Sequence, residues 1–548
     1  MSLTIVAAVV VALFAGGYTA YGRWIAHHLR LDDATPTPAV TMHDGVDYVP
    51  TRRSFLLGQH FSAIAAAGPI VGPILAGLTF GWLPTLAWIV LGAIFIGAVH
   101  DFSSLIGSVR HRARSVAEIV QTYIGRRAYI LFLSFIWVSL VYVITAFADL
   151  TANSFVEPTY GAGVATSSLL YLGLAMLMGV CLARFKMRLG MANVIFIPLV
   201  ATSIWAGQRF PLQLPVIPGI RPVLVWDGVL LAYCFVASVM PVRILLQPRG
   251  YLGGTFLYVV LAAGLVGLVL GRVQVQYPAF VGLTGASGVP LVPMLFVTVA
   301  CGACSGFHGL VCSGTTSKQI AKEGDCRPIG YGAMLLEGLV ALIALATVMM
   351  LAPDDPVTKQ SPDRIYAQGL ARFVQQFGIH PHYAMAFVLL AFATFIFDTL
   401  DVATRLGRYI LEELFGWRHA LGRSAATVLT LALPAWCVTV TIPDAHGQLI
   451  PAWRVFWTVF GTSNQLLAAL TLLGLTTWLR RTGRPWAFAA VPCVFMLVVT
   501  LWALGYLLRT WMSRWQAGGS LVDPVAVASL LLMALAVTLV VEGVRSCK

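Results

Sequence analysis

The sequence predicts an all-α polytopic membrane protein with about 15 transmembrane helices and a core of two inverted five-helix repeats, each opening with a broken helix. Three observations carry this: the composition, the number and spacing of apolar runs, and glycine-rich interruptions inside two of them. Of the 548 residues, 59% are apolar and 10% are charged, and the mean hydropathy of +0.84 lies far outside the range of soluble domains.

Runs of about 20 apolar residues, the length a bilayer core demands of a helix, fall near 3–21, 55–78, 82–106, 128–150, 166–183, 190–206, 224–242, 251–271, 291–315, 329–352, 383–411, 424–442, 454–479, 486–508 and 524–544. The gaps between them leave no room for a soluble domain, so residues 1–548 form a single membrane domain. No Lys or Arg precedes the first run, and Arg23 and Arg30 follow it. It is therefore an anchor with its amino end outside. With that start, 26 of the 35 Lys and Arg residues fall in segments on the inner side. This bias predicts an N-terminus outside and a cytoplasmic C-terminus. The net charge of +13 then reflects topology and attraction to anionic headgroups. The basic residues are scattered over eight loops, so nucleic acid is not an expected partner.

The nine cysteines are mostly isolated within apolar runs, where a thiol packs as a small apolar group. Cys301, Cys304, His308 and Cys312 share one helical face, but the ends of that series would lie about 16 Å apart on a straight helix, too far for one tetrahedral ion. No metal site is expected. Nor does the chain contain an H-E-x-x-H, G-x-S-x-G or P-loop pattern. No enzyme, catalytic residue or cofactor is predicted.

The second run contains "AAAGPIVGPILAG" and the ninth "VTVACGACSGFHGLVCSGTTSK". Backbone that leaves the helix at membrane depth exposes unpaired N–H and C=O groups, each costing several kcal/mol, and persists where it lines a cavity or binds something. Both runs also carry polar residues. Gln59, His60, Ser62, Gly68, Pro69 and Gly72 in the first, and Gly302, Gly306, His308 and Ser313 in the second, are candidate substrate-binding residues. Asn464 and Gln465 in "FGTSNQLLAAL" join them. Pro69 and Pro73 suit the first turn of a restarted half-helix, whose positive end would face an anion. The two runs are seven apart and so cross the membrane in opposite senses. Five spans from each start give repeat one at 55–206 and repeat two at 291–479, with 1–54, 207–290 and 480–548 as peripheral helices and loops.

The eleventh run, "FIFDTLDVATRLGRYILEE", places Asp398, Asp401 and Arg405 on one helical face. Charges at membrane depth cost at least about 2.5 kcal/mol each and usually serve a purpose. Two acids one turn apart suit a proton relay. An Asp401–Arg405 structural pair is the other reading. Asp149, Glu337, His100 and Asp101 are further buried candidates, and His380 and His382 are read as loop residues.

Together "LGQHFSAIAAAGPIVGPILAG", "WIVLGAIFIGAVHDF", "ACGACSGFHGLVCSGTT", "IGYGAMLLEGLVALIAL", "DTLDVATRLGRYILEE" and "VFGTSNQLLAAL", preceded by "DGVDYVPT", resemble the carbon starvation protein A (CstA) family over about residues 18–475. The resemblance implies a LeuT-like five-plus-five fold of the amino acid, polyamine and organocation transporter superfamily. It also implies a bacterial inner-membrane uptake system for short peptides or pyruvate under carbon starvation. The chain is shorter at its carboxyl end than the long members of the family, and Asp398 stands where the family leads one to expect a neutral residue. In the superfamily the third helix of repeat two runs beside the break in repeat one. A coupling ion would then lie between carbonyls near Ala65 to Gly68 and Asp398, Asp401 and Arg405. A proton is favoured, with Asp401 the principal carrier and Arg405 its partner after release, while sodium stays open. The leading function is a symporter importing a small carboxylate-bearing nutrient, and the rival is a nutrient receptor without net transport. The oligomeric state is left open.

Overall fold

In hydrocarbon every backbone N–H and C=O must be satisfied within its own segment, so the apolar runs become helices. The computed structural model describes residues 2–546 apart from 216, 286–287, 418, 444–448 and 517–522. In chain order the main helices begin with α1 (Leu3–Leu29), α2 (Arg53–Ile64), α3 (Gly68–Phe80), α4 (Trp82–Arg110), α5 (Arg126–Phe155) and α6 (Gly161–Ala183). They continue with α7 (Leu189–Arg209), α8 (Pro222–Val239), α9 (Leu246–Leu270), α10 (Leu291–Thr298), α11 (Gly306–Val311) and α12 (Glu323–Met349). The last are α13 (Pro362–Gln375), α14 (Pro381–Phe415), α15 (Ala420–Cys437), α16 (Trp457–Arg481), α17 (Ala487–Gln516) and α18 (Pro524–Ser546). A two-stranded hairpin, Thr441–Pro443 with Leu449–Pro451, lies between α15 and α16.

Among the described residues, twelve helices are long and apolar enough to cross a membrane, and α2 with α3, bent by 47° at their break, make a thirteenth span. The run at 291–315 is divided between the short α10 and α11, and that at 424–442 is the 18-residue α15. The extra helix α13 escapes a hydropathy scan because Asp363, Arg364 and Arg372 interrupt its apolar pattern. Its buried face, with Ile365, Leu370 and Phe373, packs against α9, α12 and α14.

Burial separates core from rim. The apolar stretches of α12 and α14 are 83% buried, against 28% for α1 and α7 and 22% for α18. One part of the expected periphery belongs to the core. Helix α9, from the segment 207–290, packs along α2 and α14, and it begins at Leu246 instead of near 251. That early start draws Arg249 out of a supposed loop and buries it completely.

Candidate functional site

The first break spans Ala65 to Ala67, where Ala65 leaves helical geometry at φ −79°, ψ 69°. Helix α3 restarts at Gly68 with Pro69 in its first turn, where a missing N–H costs nothing. Pro73 lies one turn further in, inside the helix and not at its start. The second break runs from Val299 to Ser305. The two breaks touch: a side chain on Gly68 would collide with the Cys301 thiol, and a Cβ on Gly72 would sit 2.5 Å from the Thr298 carbonyl oxygen. Beside this contact lies a cavity of about 250 Å³ lined by Gly68, Gly72, Thr298, Cys301, Trp457 and Asn464. A wider vestibule of about 840 Å³ shares Leu75 and Trp457 with it and carries Glu157, Arg364 and Arg454.

Of the proposed substrate ligands, Gly68, Gly72 and Asn464 line this cavity. The Asn464 Oδ1 accepts the Phe307 backbone N–H at 3.0 Å, and its Nδ2 donates to Ser305 Oγ at 3.1 Å. Gln465 donates to the Phe296 carbonyl at 3.0 Å. Gly302 and Gly306 do not share the cavity with Gly68 and Gly72. They are close-packing positions, against Ala341 and against the backbone of α16. Gln59 lies against Gly250, His60 Nδ1 is 2.8 Å from Thr316 Oγ1, and Ser313 donates to the Gly309 carbonyl at 2.7 Å. His308 is held 3.0 Å from both Asp101 and Glu337.

The carboxylates of α14 form a second centre beside the first break, where Thr399 Oγ1 donates to the Ala63 carbonyl at 3.2 Å. Arg405 is not their partner. Its guanidinium reaches the other way, to Asp47 Oδ1 at 2.9 Å and the Ala237 carbonyl at 2.7 Å. Arg249 takes its place, with Nε 3.1 Å from Asp398 and Nη1 paired with Asp401. Tyr233 donates to Asp401 at 2.8 Å, Ser62 donates to Asp398, and the Phe397 ring lies 4.2 Å from the guanidinium carbon. Sequence reasoning missed Arg249 because an arginine just ahead of an apolar run reads as a loop charge. Glycine at positions 250, 253 and 254, which lets α9 approach α2 closely, was the available signal.

Asp47, in the loop ahead of α2, anchors the far end of α14. Arg405, Arg408 and Tyr409 converge on its carboxylate, with Tyr409 donating at 2.6 Å. Burial pushes the Asp47 carboxyl pKa up, but Arg408, Arg405 and Lys318 outweigh that and hold the group well below the usual carboxylate range. Lys318 lies 3.3 Å from the Tyr409 ring centre. Burial pulls its ammonium down to about 8, against the attraction of Asp47 and Glu413.

Known proteins resemble this chain in sequence or fold. The chain is 31% identical over 591 residues to the pyruvate/proton symporter BtsT of Escherichia coli K12, covering 90% of this chain and 80% of that protein. It is 32% identical over 570 residues to the peptide transporter CstA of the same strain, covering 91% and 80%. The solved structure of the Eremococcus coleocola manganese transporter with an aromatic bis-isothiourea compound covers 92% of this chain and 99% of that one at 12% identity and a TM-score of 0.50, a likeness of fold alone. The family model described as carbon starvation protein CstA matches residues 1–365 and 354–503. With broken helices at a cavity, buried charge on α14 and relatives that are transporters, the chain is a multi-pass membrane protein that belongs to the carbon starvation protein CstA family.

Proposed function

We propose that this protein is a secondary transporter that imports a small carboxylate-bearing nutrient, a short peptide or pyruvate, by proton symport across the bacterial inner membrane when carbon is scarce. Its amino end lies outside and its carboxyl end in the cytoplasm, and repeats 55–206 and 291–479 rock about the paired breaks. The substrate carboxylate meets the positive end of α3 beside Gly68 and Asn464.

The observation that carries proton coupling is the placement of Arg249. A sodium ion beside the first break would have to share the α14 carboxylates with a guanidinium that cannot leave. One arginine against Asp398 and Asp401 leaves one excess negative charge in a buried site. A single proton neutralises it, where charge is costly. Asp401, gripped by Arg249 and Tyr233, is the carboxylate best kept ionised. Asp398 then carries the proton, which reverses the order of the two acids read from the sequence.

Counterflow in proteoliposomes, with labelled pyruvate and a labelled dipeptide each competing against the other, identifies the substrate. With that substrate, a pH gradient should drive accumulation without sodium. Asp398→Asn should retain counterflow but lose accumulation. A sodium requirement in the native protein, or full accumulation by the variant, would refute the assignment.

A further inference from the structure

A second group of ionisable side chains lies apart from Arg249. His308, at the start of α11, stands between Asp101 of α4 and Glu337 of α12, 3.0 Å from each. His100 Nδ1 is 2.8 Å from the other Asp101 oxygen. All four side chains are at least 99% buried. His60 of α2, Cys301 and Cys304 of the break, and Cys312 beyond α11 complete the ionisable groups that face the cluster. No Lys or Arg makes an ion pair with Asp101 or Glu337 among the described residues. With His308 as an imidazolium and His100 neutral, two carboxylates leave the cluster one charge negative at membrane depth, a cost that one further proton removes. Glu337 Oε1 has no hydrogen-bond partner and is free to take it.

A polar seam leads away from the cluster between α4 and the segment that follows α11. His100 Nε2 and Ser104 Oγ are buried there without partners. Only a glycine fits opposite them, because a Cβ on Gly309 would stand 2.8 Å from the His100 ring. One turn on, Ser108 Oγ donates to the Arg114 carbonyl at 2.6 Å and has the Ser313 carbonyl at 2.9 Å and Ser317 Oγ at 3.0 Å as alternative partners. Arg114 lies in the loop after α4, with its side chain 38% exposed. Residues 101 to 108 span about 10 Å of helix. Towards the cavity beside the breaks, the Ser305 carbonyl accepts the His308 backbone N–H at 3.2 Å, and Asn464, which lines that cavity, donates to Ser305 Oγ at 3.1 Å. A structural clamp needs neither the open Glu337 oxygen nor a row of buried unpaired polar atoms leading towards the surface.

We propose that Asp101, His308 and Glu337 form a second proton-binding site, separate from Asp398, which exchanges with the inner aqueous phase along the His100–Ser104–Ser108 seam. This rests on the symport reading above, and its test separates the two. Infrared spectra of the native full-length protein in lipid should show a protonated-carboxyl C=O band that changes with pH, is lost in Glu337→Gln and moves its midpoint in His308→Gln. In liposomes holding a pH-sensitive dye, Glu337→Gln should keep pyruvate counterflow while the number of protons entering per substrate falls by about one. If the native band is invariant with pH, or if the native protein does carry protons with substrate and Glu337→Gln and His308→Gln both keep its proton count, the site does not exist. Substrate entry without protons in the native protein, with the band titrating all the same, would sink the symport reading and leave the proton site standing.

Discussion

At the scale of single residues, Arg249 governs the buried charge beside the first break. Removing one partner of a buried ionic group leaves the others uncompensated, at a cost of about 3 to 5 kcal/mol. Arg249→Gln should therefore lower stability by about that amount, and Asp401→Asn in the same chain should recover most of it. Thermal unfolding in detergent measures both, and an unchanged midpoint for the single variant would contradict the pairing. Gly72 is the sharpest steric test. Its Cβ would stand 2.5 Å from the Thr298 oxygen, so Gly72→Ala already drives one break away from the other. Overpacking of this kind costs about 1 to 3 kcal/mol. Uptake should fall about tenfold or more while the protein still inserts, and native uptake would remove Gly72 from the site. The acids of α14 were legible in the sequence because a charge in an apolar run stands out against its surroundings. Their partner was not, because hydropathy marks where a helix is apolar and not where it begins, and the first turns of α9 are polar enough to look like a loop.

At the scale of elements, glycine and proline content marked both broken helices, since such residues accumulate where backbone departs from the helix. What lines the cavity was less legible. Gly302 and Gly306 carry the same signal as Gly68, yet they serve helix contact, and sequence cannot tell a glycine that clears space for a ligand from one that clears space for a neighbouring helix. Helix α13 was missed for a different reason: its charges face outward while its apolar face is covered. The segment after α11 yields a pH prediction. Lys318 titrates near 8 in the folded protein, below its ordinary 10.5. Above pH 8 the unfolded chain binds the extra proton, so stability attributable to this residue rises with pH up to about 10.5, by about 1.4 kcal/mol per unit at most. Lys318→Met should lack that rise. Parallel melting curves for the two proteins across this range would show that the lysine does not titrate there.

For the whole molecule, α14 is the axis that joins two unlike ends. Met385 and Leu389 line the open vestibule, while Arg405, Arg408 and Tyr409 clasp Asp47 some 16 to 24 residues further along. The two ends are about 30 Å apart. Helix α14 thus joins a vestibule near one end to an ionic clasp near the other. The placement of Arg249 also limits how far the protein can be simplified. A shortened chain that keeps both proposed repeats but omits residues 210–290 would lose the cation that balances Asp398 and Asp401, and it should fail to accumulate in membranes even if the two parts are joined by a permissive linker. Trimming α18 should do little harm, because it is 22% buried and lies beyond the family match at residue 503. Fluorescence-tagged expression of the two truncations compares them directly. Equal accumulation would mean that the buried acids can do without their arginine. The smallest working form of this protein should therefore include a helix that lies outside both of the proposed repeats.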